Sequence, residues 1–238
     1  MRSFNVATFH LVPGGFHGKW CWDRVVPELQ TMGHKATGIE LPGMGGDDTP
    51  HKDVTLDLWA RHLIDLAERE AELPVLVGHS RAGLAMIRAA ELAPDRFASL
   101  VFLSAVVPPQ GEAMGSHESF SQVPYMRIVN EGHTLIASED ILPLLFNGCS
   151  AEDVKQAATG ICPEPLAPWT VPITTTEERF GTVRRAYIHC LQDKMLPYDW
   201  QLQVASRLGC TRSVTMDTDH SPFLNSPQEL ARHIGSLA

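Results

Sequence analysis

Residues 75–83, Val-Leu-Val-Gly-His-Ser-Arg-Ala-Gly, constrain the fold of this chain most strongly. Three aliphatic residues in a row predict the end of a buried strand, and residues 84–93 are compatible with a helix. A single serine at a sharp strand-to-helix turn is the setting of a nucleophile elbow. Such a turn needs small residues two positions before and after Ser80, where Gly78 and Ala82 stand. A helix whose N-terminus is capped by Ser80 is the alternative interpretation.

Strand and helix patterns alternate on both sides of this stretch. Predicted strands cover residues 4–12, 35–41, 75–77, 97–104, 184–191 and 212–216. Predicted helices cover residues 22–32, 56–71, 84–93 and 197–208, and a last helix opens at Ser226-Pro227. This alternation predicts an α/β fold, in which helices cover both faces of a mostly parallel sheet.

The alternation stops between about residue 105 and residue 180. Eight prolines there argue against long strands, and short amphipathic helices are predicted at residues 139–146 and 151–158. Apolar residues are too frequent in this segment for a disordered linker. The sequence therefore predicts a single α/β domain over residues 1–238 with an inserted helical cap at about 105–180.

Composition excludes several classes of partner. The formal net charge is −9 and no basic run is present, which argues against a nucleic-acid partner. No apolar run is long enough to span a membrane, and the N-terminal residues lack a signal-peptide apolar core. The five cysteines lie far apart without a C-x-x-C pair, so neither a zinc site nor a disulfide framework is indicated. We expect a cytoplasmic protein without a membrane partner.

A serine nucleophile needs a base, and eleven histidines compete for that role. Two candidates are His17 and His220. The others lie in helices or strands, after a helix end, in polar loops or in the elbow: His10, His34, His51, His62, His79, His117, His133, His189 and His233. His220 directly follows the last predicted strand, and the carboxyl ends of parallel strands are where such sheets build their sites. We expect His220 to be the base, against the alternative of a surface-loop histidine.

A histidine base needs a carboxylate that orients its ring. Asp193 follows the strand predicted at residues 184–191 and gives the order Ser80, Asp193, His220. Asp217 and Asp219 are closer to His220 in sequence, but they would have to fold back on it from its own loop. We therefore expect Asp193 to be the acid, with a simple turn-forming aspartate as the alternative.

Acyl transfer also needs backbone donors for the developing oxyanion. One candidate is the N–H of Arg81, directly after the nucleophile. The second should come from the glycine turn after the first strand, where Gly15 is favoured and Phe16 is the neighbouring alternative. Phosphate binding is the competing use of such a loop, but the G-x-G-x-x-G pattern and a Walker lysine are missing. His17 is then expected to fix this loop or the pocket wall.

These motifs resemble a known family. Pro-Gly-Gly-Phe-His-Gly-Lys-Trp-Cys-Trp at 13–22 is similar to the His-Gly-x-x-His-Gly-x-Trp-x-Trp stretch of a branch of α/β-hydrolases. That branch includes plant methyl esterases, the salicylate-binding esterase, hydroxynitrile lyases and bacterial carboxylesterases. Leu-Pro-Gly at 41–43, Val-Gly-His-Ser at 77–80, Gln-Asp at 192–193 and Asp-His-Ser-Pro-Phe at 219–223 follow in the branch's order. Their serine–acid–histidine order is that of α/β-hydrolases.

The resemblance implies an α/β-hydrolase fold without a cofactor, the triad Ser80–His220–Asp193, and the oxyanion donors Gly15 and Arg81. It is compatible with a homodimer. Two residues depart from the pattern, since Pro13 replaces a histidine and Ala82 replaces the elbow glycine. Ser221 stands where the branch's hydroxynitrile lyases carry a lysine, and Gly14-Gly15 offers no threonine, so cyanohydrin cleavage is disfavoured.

We expect a serine esterase that cleaves a small carboxylic ester or lactone through an acyl-enzyme. The alternatives are a lyase or carbon–carbon bond hydrolysis step on the same fold, and a receptor-like ligand-binding protein with slow turnover. Metal ligands are not indicated. The expected substrate-binding residues are loop residues and apolar cap residues, for which a structural core role is the alternative: Phe16, His17, Phe120, Tyr125, Leu144, Phe146 and Trp169.

Overall fold

A six-stranded sheet forms the centre of the protein; the computed structural model describes residues 6–116 and 123–238. Its strands are β1 (Thr8–Val12), β2 (Lys35–Gly38), β3 (Val75–His79), β4 (Ser99–Leu103), β8 (Arg185–Cys190) and β9 (Arg212–Met216). They lie in the order β2-β1-β3-β4-β8-β9, and every pairing is parallel. The predicted α/β fold with a parallel sheet is confirmed.

Helices accompany these strands, and all of them except the one at Pro222–Asn225, which was not predicted, lie at the predicted places. They are α1 (Val25–Thr31), α2 (Leu56–Ala67), α3 (Ala82–Leu92), α6 (Tyr198–Arg207), α7 (Pro222–Asn225) and α8 (Pro227–Leu237). Single 3₁₀ turns lie at Lys19–Trp22, His51–Asp53, Pro94–Arg96, Met114–Ser116, Asn130–Gly132, Glu139–Ile141, Ala167–Trp169 and Phe180–Thr182. Helix α2 begins at Thr55, whose Oγ accepts the Leu58 N–H at 3.0 Å, as expected of a threonine N-cap.

The strand order fixes where a site can form. The connection from β1 runs outward to β2, whereas the connection from β3 runs the other way to β4. Because such crossovers are right-handed, α1 lies on the opposite face from α2 and α3, and indeed α1 packs against α8 while α2 packs against α3. The crevice at the carboxyl ends of β1 and β3 is therefore the topological switch point, where open α/β sheets bind ligands.

Large apolar side chains fill the space between the sheet and its helices. Six of the largest fully buried side chains are aromatic: Trp22, Trp59, Tyr187, Phe9, Phe102 and Phe223. All five residues of β1, β3 and β4 are buried, as expected for central strands covered on both faces. Within the two described ranges, no helix is long and apolar enough to cross a membrane.

The cap between β4 and β8 contains strands as well as helices. Its helices are α4 (Leu142–Leu145) and α5 (Ala151–Gly160), close to the two predicted segments. Its strands are β5 (Met126–Val129), β6 (Thr134–Ala137) and β7 (Glu164–Pro165), which pair antiparallel in the order β5-β6-β7. The expectation of a purely helical cap missed this sheet, because prolines limit these strands to two to four residues without preventing them. The predicted pocket residue Phe120 lies outside the described residues.

Candidate active site

Ser80 sits at the turn between β3 and α3 in a strained backbone conformation. Its φ is +51°, in the left-handed region that a non-glycine residue adopts only at a cost. A Cβ placed on Gly78 would lie 1.9 Å from Met86 Sδ and 3.1 Å from the Ala82 Cβ. The space beside the serine therefore admits only small residues, and alanine at position 82 satisfies that requirement as glycine would.

His220 and Asp193 form a buried pair at the same edge of the sheet. The distance between His220 Nδ1 and Asp193 Oδ2 is 2.6 Å, and both side chains are inaccessible to solvent. A carboxylate can accept hydrogen bonds but cannot donate them. Asp193 therefore holds neutral His220 as the Nδ1–H tautomer, with a free lone pair on Nε2. Nε2 is buried and has no hydrogen-bond partner among the described residues.

Three further donors hold the Asp193 carboxylate. Its Oδ1 accepts the backbone N–H groups of Met195 and Leu196, each at 2.8 Å. Its Oδ2 accepts the Ser104 hydroxyl at 2.5 Å, in addition to His220. The carboxylate is therefore fully hydrogen-bonded, which offsets the cost of burying a charge.

The two aspartates nearer to His220 have other partners. Asp219 accepts the N–H groups of Gly148 and Ser221 and the Asn225 amide, so it ties the histidine loop to the cap. Asp217 accepts a hydrogen bond from the Gln192 amide at 2.8 Å. The structure thus brings Asp193, and neither neighbour, to the imidazole of His220.

Two more histidines surround this pair and are neutral. His79 Nε2 donates to the His220 carbonyl at 2.8 Å, and the ring centroids of these two histidines are 4.5 Å apart. Burial, with help from neighbouring His220 and His17, holds the pKa of His79 well below its usual value. His17 Nδ1 donates to the Gly15 carbonyl at 2.6 Å. Burial lowers the pKa of His17 to about 4, against the opposing effect of that carbonyl.

The glycine turn after β1 lies against the elbow. A Cβ on Gly14 would lie 2.5 Å from His79 Nδ1, so only glycine allows this approach. The Phe16 N–H donates to the Glu164 carboxylate at 3.1 Å, and Glu164 also contacts Arg81. By contrast, the N–H groups of Gly15 and Arg81 donate to no residue of the described chain. Of the two candidates in this turn, Gly15 has the free donor.

Backbone strain is concentrated at this edge of the sheet. Five non-glycine residues in the described ranges have positive φ, and three of them lie beside the site, two directly after a strand and one in the glycine turn. These are Phe16 at +62°, Ser80 at +51° and Ser104 at +36°. Strain of this kind persists only where the surrounding structure enforces it, and it gathers at functional sites.

The predicted pocket residues occupy different environments. His17 is fully buried behind the glycine turn, and its ring contacts that of Phe146 at a centroid distance of 5.9 Å. Trp169 lies against Gly15, since its Cζ2 is 3.3 Å from where a Gly15 Cβ would stand. Tyr125 is half-buried and its hydroxyl donates to Met195 Sδ at 3.3 Å. Leu144 is also half-buried.

Sequence reasoning missed three side chains that support the site. Ser104 had an available signal, because it directly follows a buried strand adjacent to the elbow strand. For His79 the signal is its place directly before Ser80, which suits a supporting role. Glu164 had no signal, because it stands alone between two prolines, far from every motif.

Comparisons with known proteins agree with this architecture. The profile of the alpha/beta hydrolase family matches residues 11–233. The relative named "Putative methylesterase 14, chloroplastic" from Arabidopsis thaliana is 30% identical over 100% of this chain and 73% of its own length. Salicylic acid-binding protein 2 of Nicotiana tabacum is 29% identical over 97% of this chain and 96% of its own. The predicted cytoplasmic location of this chain stays a prediction.

A solved structure is similar over nearly the whole chain. The crystal structure of polyneuridine aldehyde esterase superposes with a TM-score of 0.86 at 25% sequence identity. The match covers 97% of this chain and 98% of that protein. The similarity therefore includes the cap as well as the sheet.

Proposed function

Because this chain belongs to the alpha/beta hydrolase family, we propose that it is a carboxylic ester hydrolase acting through Ser80, His220 and Asp193. The observation that carries the proposal is the buried His220–Asp193 pair at the sheet edge that also holds the strained Ser80. Relatives named as methylesterases and as an aldehyde esterase support ester hydrolysis as the reaction.

His220 is the general base. Its Nδ1–H bond to Asp193 leaves the Nε2 lone pair free to take the Ser80 hydroxyl proton. Asp193 remains ionised, and it stabilises the imidazolium that forms when that proton arrives. The Ser104 hydroxyl and the N–H groups of Met195 and Leu196 hold this carboxylate in the position required for this role.

Ser80 is the nucleophile. Its Oγ attacks the ester carbonyl carbon, and the tetrahedral intermediate collapses as His220 returns the proton to the leaving alkoxide. The product alcohol departs and an acyl-enzyme remains on Ser80. Water then attacks this acyl group with His220 as base, which releases the acid and restores the serine.

The oxyanion is bound by the N–H groups of Gly15 and Arg81. Both are free of other partners in the described chain and both flank the switch-point crevice. Phe16 does not serve in this role, because Glu164 already accepts its N–H. Such donors act in a water-poor setting, where each contributes about 10²- to 10³-fold to the rate.

The substrate is a small ester or lactone. A small substrate suits the limited access to the site, because Ser80 is only 8% exposed and the cap residue Glu164 holds the turn at Phe16. Apolar cap side chains supply the remaining pocket surface: Tyr125, Leu144, Phe146 and Trp169. Phe120 belongs to the same proposed set.

A panel of short aryl, methyl and lactone esters tests this function. Wild type and Ser80→Ala are compared near neutral pH, with folding of both checked by circular dichroism. Turnover of panel members that disappears in Ser80→Ala supports the proposal. Turnover retained by Ser80→Ala contradicts the assigned nucleophile. A folded wild type that turns over no ester contradicts the esterase and favours the lyase or receptor-like alternative.

A further inference from the structure

The side chain of Arg81 lies fully buried beneath the glycine turn. Its Nη2 donates to the Gly14 carbonyl at 2.9 Å, and its Nε is 3.3 Å from Glu164 Oε2. The guanidinium carbon stacks 4.3 Å from the centroid of the Trp59 ring. A buried charge of this kind is costly unless it is paired, and even a buried ion pair often adds no net stability over apolar residues of similar volume.

Glu164 reaches this place from the cap. It stands on β7, is fully buried, and its Oε2 accepts the Phe16 N–H as well as facing Arg81. The Trp169 side chain lies beside it, since a Cβ on Gly15 would be 3.3 Å from both Glu164 Oε1 and Trp169 Cζ2. The cap forms a second hydrogen bond to Phe16, because the Cys162 N–H donates to the Phe16 carbonyl at 2.9 Å.

Both peptide planes around Gly15 are fixed by these contacts. The Gly14 carbonyl and the Gly15 N–H belong to one planar trans peptide, so they point in opposite directions. A guanidinium bound to that carbonyl therefore fixes the direction of the Gly15 N–H. The next peptide is held by His17 at the Gly15 carbonyl and by Glu164 at the Phe16 N–H.

The guanidinium also strengthens the Gly15 N–H as a hydrogen-bond donor. A charged donor on a carbonyl polarises the peptide, which makes the N–H at its other end a better hydrogen-bond donor. Two adjacent glycines are otherwise free to rotate these planes. The Gly14 carbonyl also accepts the His17 backbone N–H at 3.4 Å. The Arg81 guanidinium adds a shorter, charged hydrogen bond at 2.9 Å, which both orients and polarises the Gly14–Gly15 peptide.

We propose that Arg81 and Glu164 are positioning residues for the oxyanion site. The Arg81 backbone N–H is one donor, and its side chain aims and polarises the other donor at Gly15. Glu164 neutralises Arg81, holds Phe16, and links the cap to the oxyanion turn. This inference rests on the proposed function, since it concerns the same oxyanion.

The test removes both charges together. Arg81→Met alone leaves the Glu164 carboxylate buried and unpaired, and that variant can fail to fold. The double variant Arg81→Met/Glu164→Gln removes the ion pair, keeps the residue 81 backbone N–H, and retains an amide oxygen for Phe16. Arg88→Met is the matched control, because Arg88 lies on α3 and pairs with Asp57 at a partly exposed position.

Two readouts separate positioning from a structural role. The first is kcat and KM for a p-nitrophenyl ester. The second is inhibition by phenylboronic acid, whose tetrahedral adduct on Ser80 Oγ places an oxygen where the oxyanion forms. We expect the folded double variant to lose ~10- to 100-fold in kcat, to keep KM within about threefold, and to bind the boronic acid more weakly by a factor like that for kcat. Arg88→Met is expected to match wild type.

Two results overturn the inference. One is a folded double variant with wild-type kcat and boronic acid affinity. The other is a loss that falls on KM alone. Ser80→Ala assayed alongside keeps the two proposals distinguishable, because turnover retained by Ser80→Ala contradicts the esterase mechanism itself, whatever the double variant does.

Discussion

The carboxyl edge of the sheet and the cap contribute to the site in different ways. At the sheet edge, Ser80, Asp193 and His220 each follow a strand, and the parallel register carries them to one place. The cap places no member of the proposed triad. It contributes one buried carboxylate, Glu164, and apolar surface such as Trp169 and Phe146.

The sheet edge therefore supplies the reacting groups, whereas the cap supplies the surface that surrounds them. Strand ends are held by a ladder of backbone hydrogen bonds, so side chains just beyond them are positioned by the fold itself. The cap strands are short, and the cap is held to the site by isolated contacts, such as the Glu164 carboxylate on the Phe16 N–H and the Cys162 N–H on the Phe16 carbonyl. We therefore expect changes at the sheet edge to abolish the chemistry, and changes in the cap at positions other than Glu164 to alter stability and substrate fit.

Of the changes at the sheet edge, Ser80→Ala should have the largest effect on ester turnover. Without a nucleophile no acyl-enzyme forms, and turnover of a p-nitrophenyl ester should fall roughly 10⁵- to 10⁶-fold. Ser99→Ala is the matched control. Ser99 is a buried serine at the first position of β4, away from the carboxyl edge of the sheet, and its hydroxyl has no partner in the described chain. Equal losses in the two variants would mean that stability, and not the nucleophile, limits turnover.

Asp193→Asn should have the second-largest effect on turnover. An asparagine amide can donate to His220 Nδ1, which turns the imidazole to the wrong tautomer, and kcat should fall by about 10³- to 10⁴-fold. Asp217→Asn, made on the loop of His220, should leave kcat near wild type, because Asp217 contacts Gln192. A large loss of kcat in Asp217→Asn with a small loss in Asp193→Asn would identify Asp217 as the acid and contradict the assignment of Asp193.

On the cap side, Phe146→Ala should mainly cost stability. Phe146 is 2% exposed and packs on His17, so its removal should lower the free energy of unfolding by about 3–5 kcal/mol. Leu144→Ala, two residues away and half-buried, should cost about 1 kcal/mol or less. Urea denaturation near pH 7.5 measures both. A kcat loss as large as that of Asp193→Asn, in a folded Phe146→Ala protein, would erase the contrast between cap and sheet edge.

The smallest effect concerns acid stability through His17. Its folded pKa of about 4 lies below the unfolded value near 6.5, so the unfolded chain binds more protons between these values. Stability from this group is complete above pH 6.5 and is lost as the pH falls towards 4. Between pH 7.5 and pH 5 the loss should be about 2 kcal/mol.

His17→Asn should flatten this pH dependence, because an asparagine amide can still donate to the Gly15 carbonyl without titrating. His233→Asn, at a partly exposed position on α8, is the control. Urea unfolding at pH 5, 6 and 7.5 gives the slopes. An unchanged slope in His17→Asn would show that His17 is not buried in its neutral form.

The sequence predicted the sheet edge better than the cap for a physical reason. Hydrophobic periodicity is local, so all six strands of the main sheet and the helices between them were found within a few residues of their bounds. The small residues around Ser80 and the aspartate and histidine after strands are equally local signals. In contrast, the pairing of β5 with β6 and β7 depends on contacts between distant short segments, and no periodic pattern marks them.

Glu164 shows the same limit within the site. Its burial beside Arg81 follows from how the cap docks on the glycine turn, which no stretch of sequence encodes by itself. The predicted pocket residues depend on that docking too. For this reason the sequence favoured Gly15 over Phe16 as oxyanion donor on loop position alone, whereas the structure adds that Glu164 occupies the Phe16 N–H.

Trapping the acyl-enzyme shows whether Ser80 is the nucleophile. Wild type and Ser80→Ala are mixed with p-nitrophenyl acetate, quenched in acid within the first turnover, digested and analysed by mass spectrometry. We expect one acetyl group on the peptide that contains Ser80 in wild type, and none on that peptide in Ser80→Ala. Acetylation of another residue during productive turnover, or turnover of the ester with Ser80 unmodified throughout, would contradict this expectation.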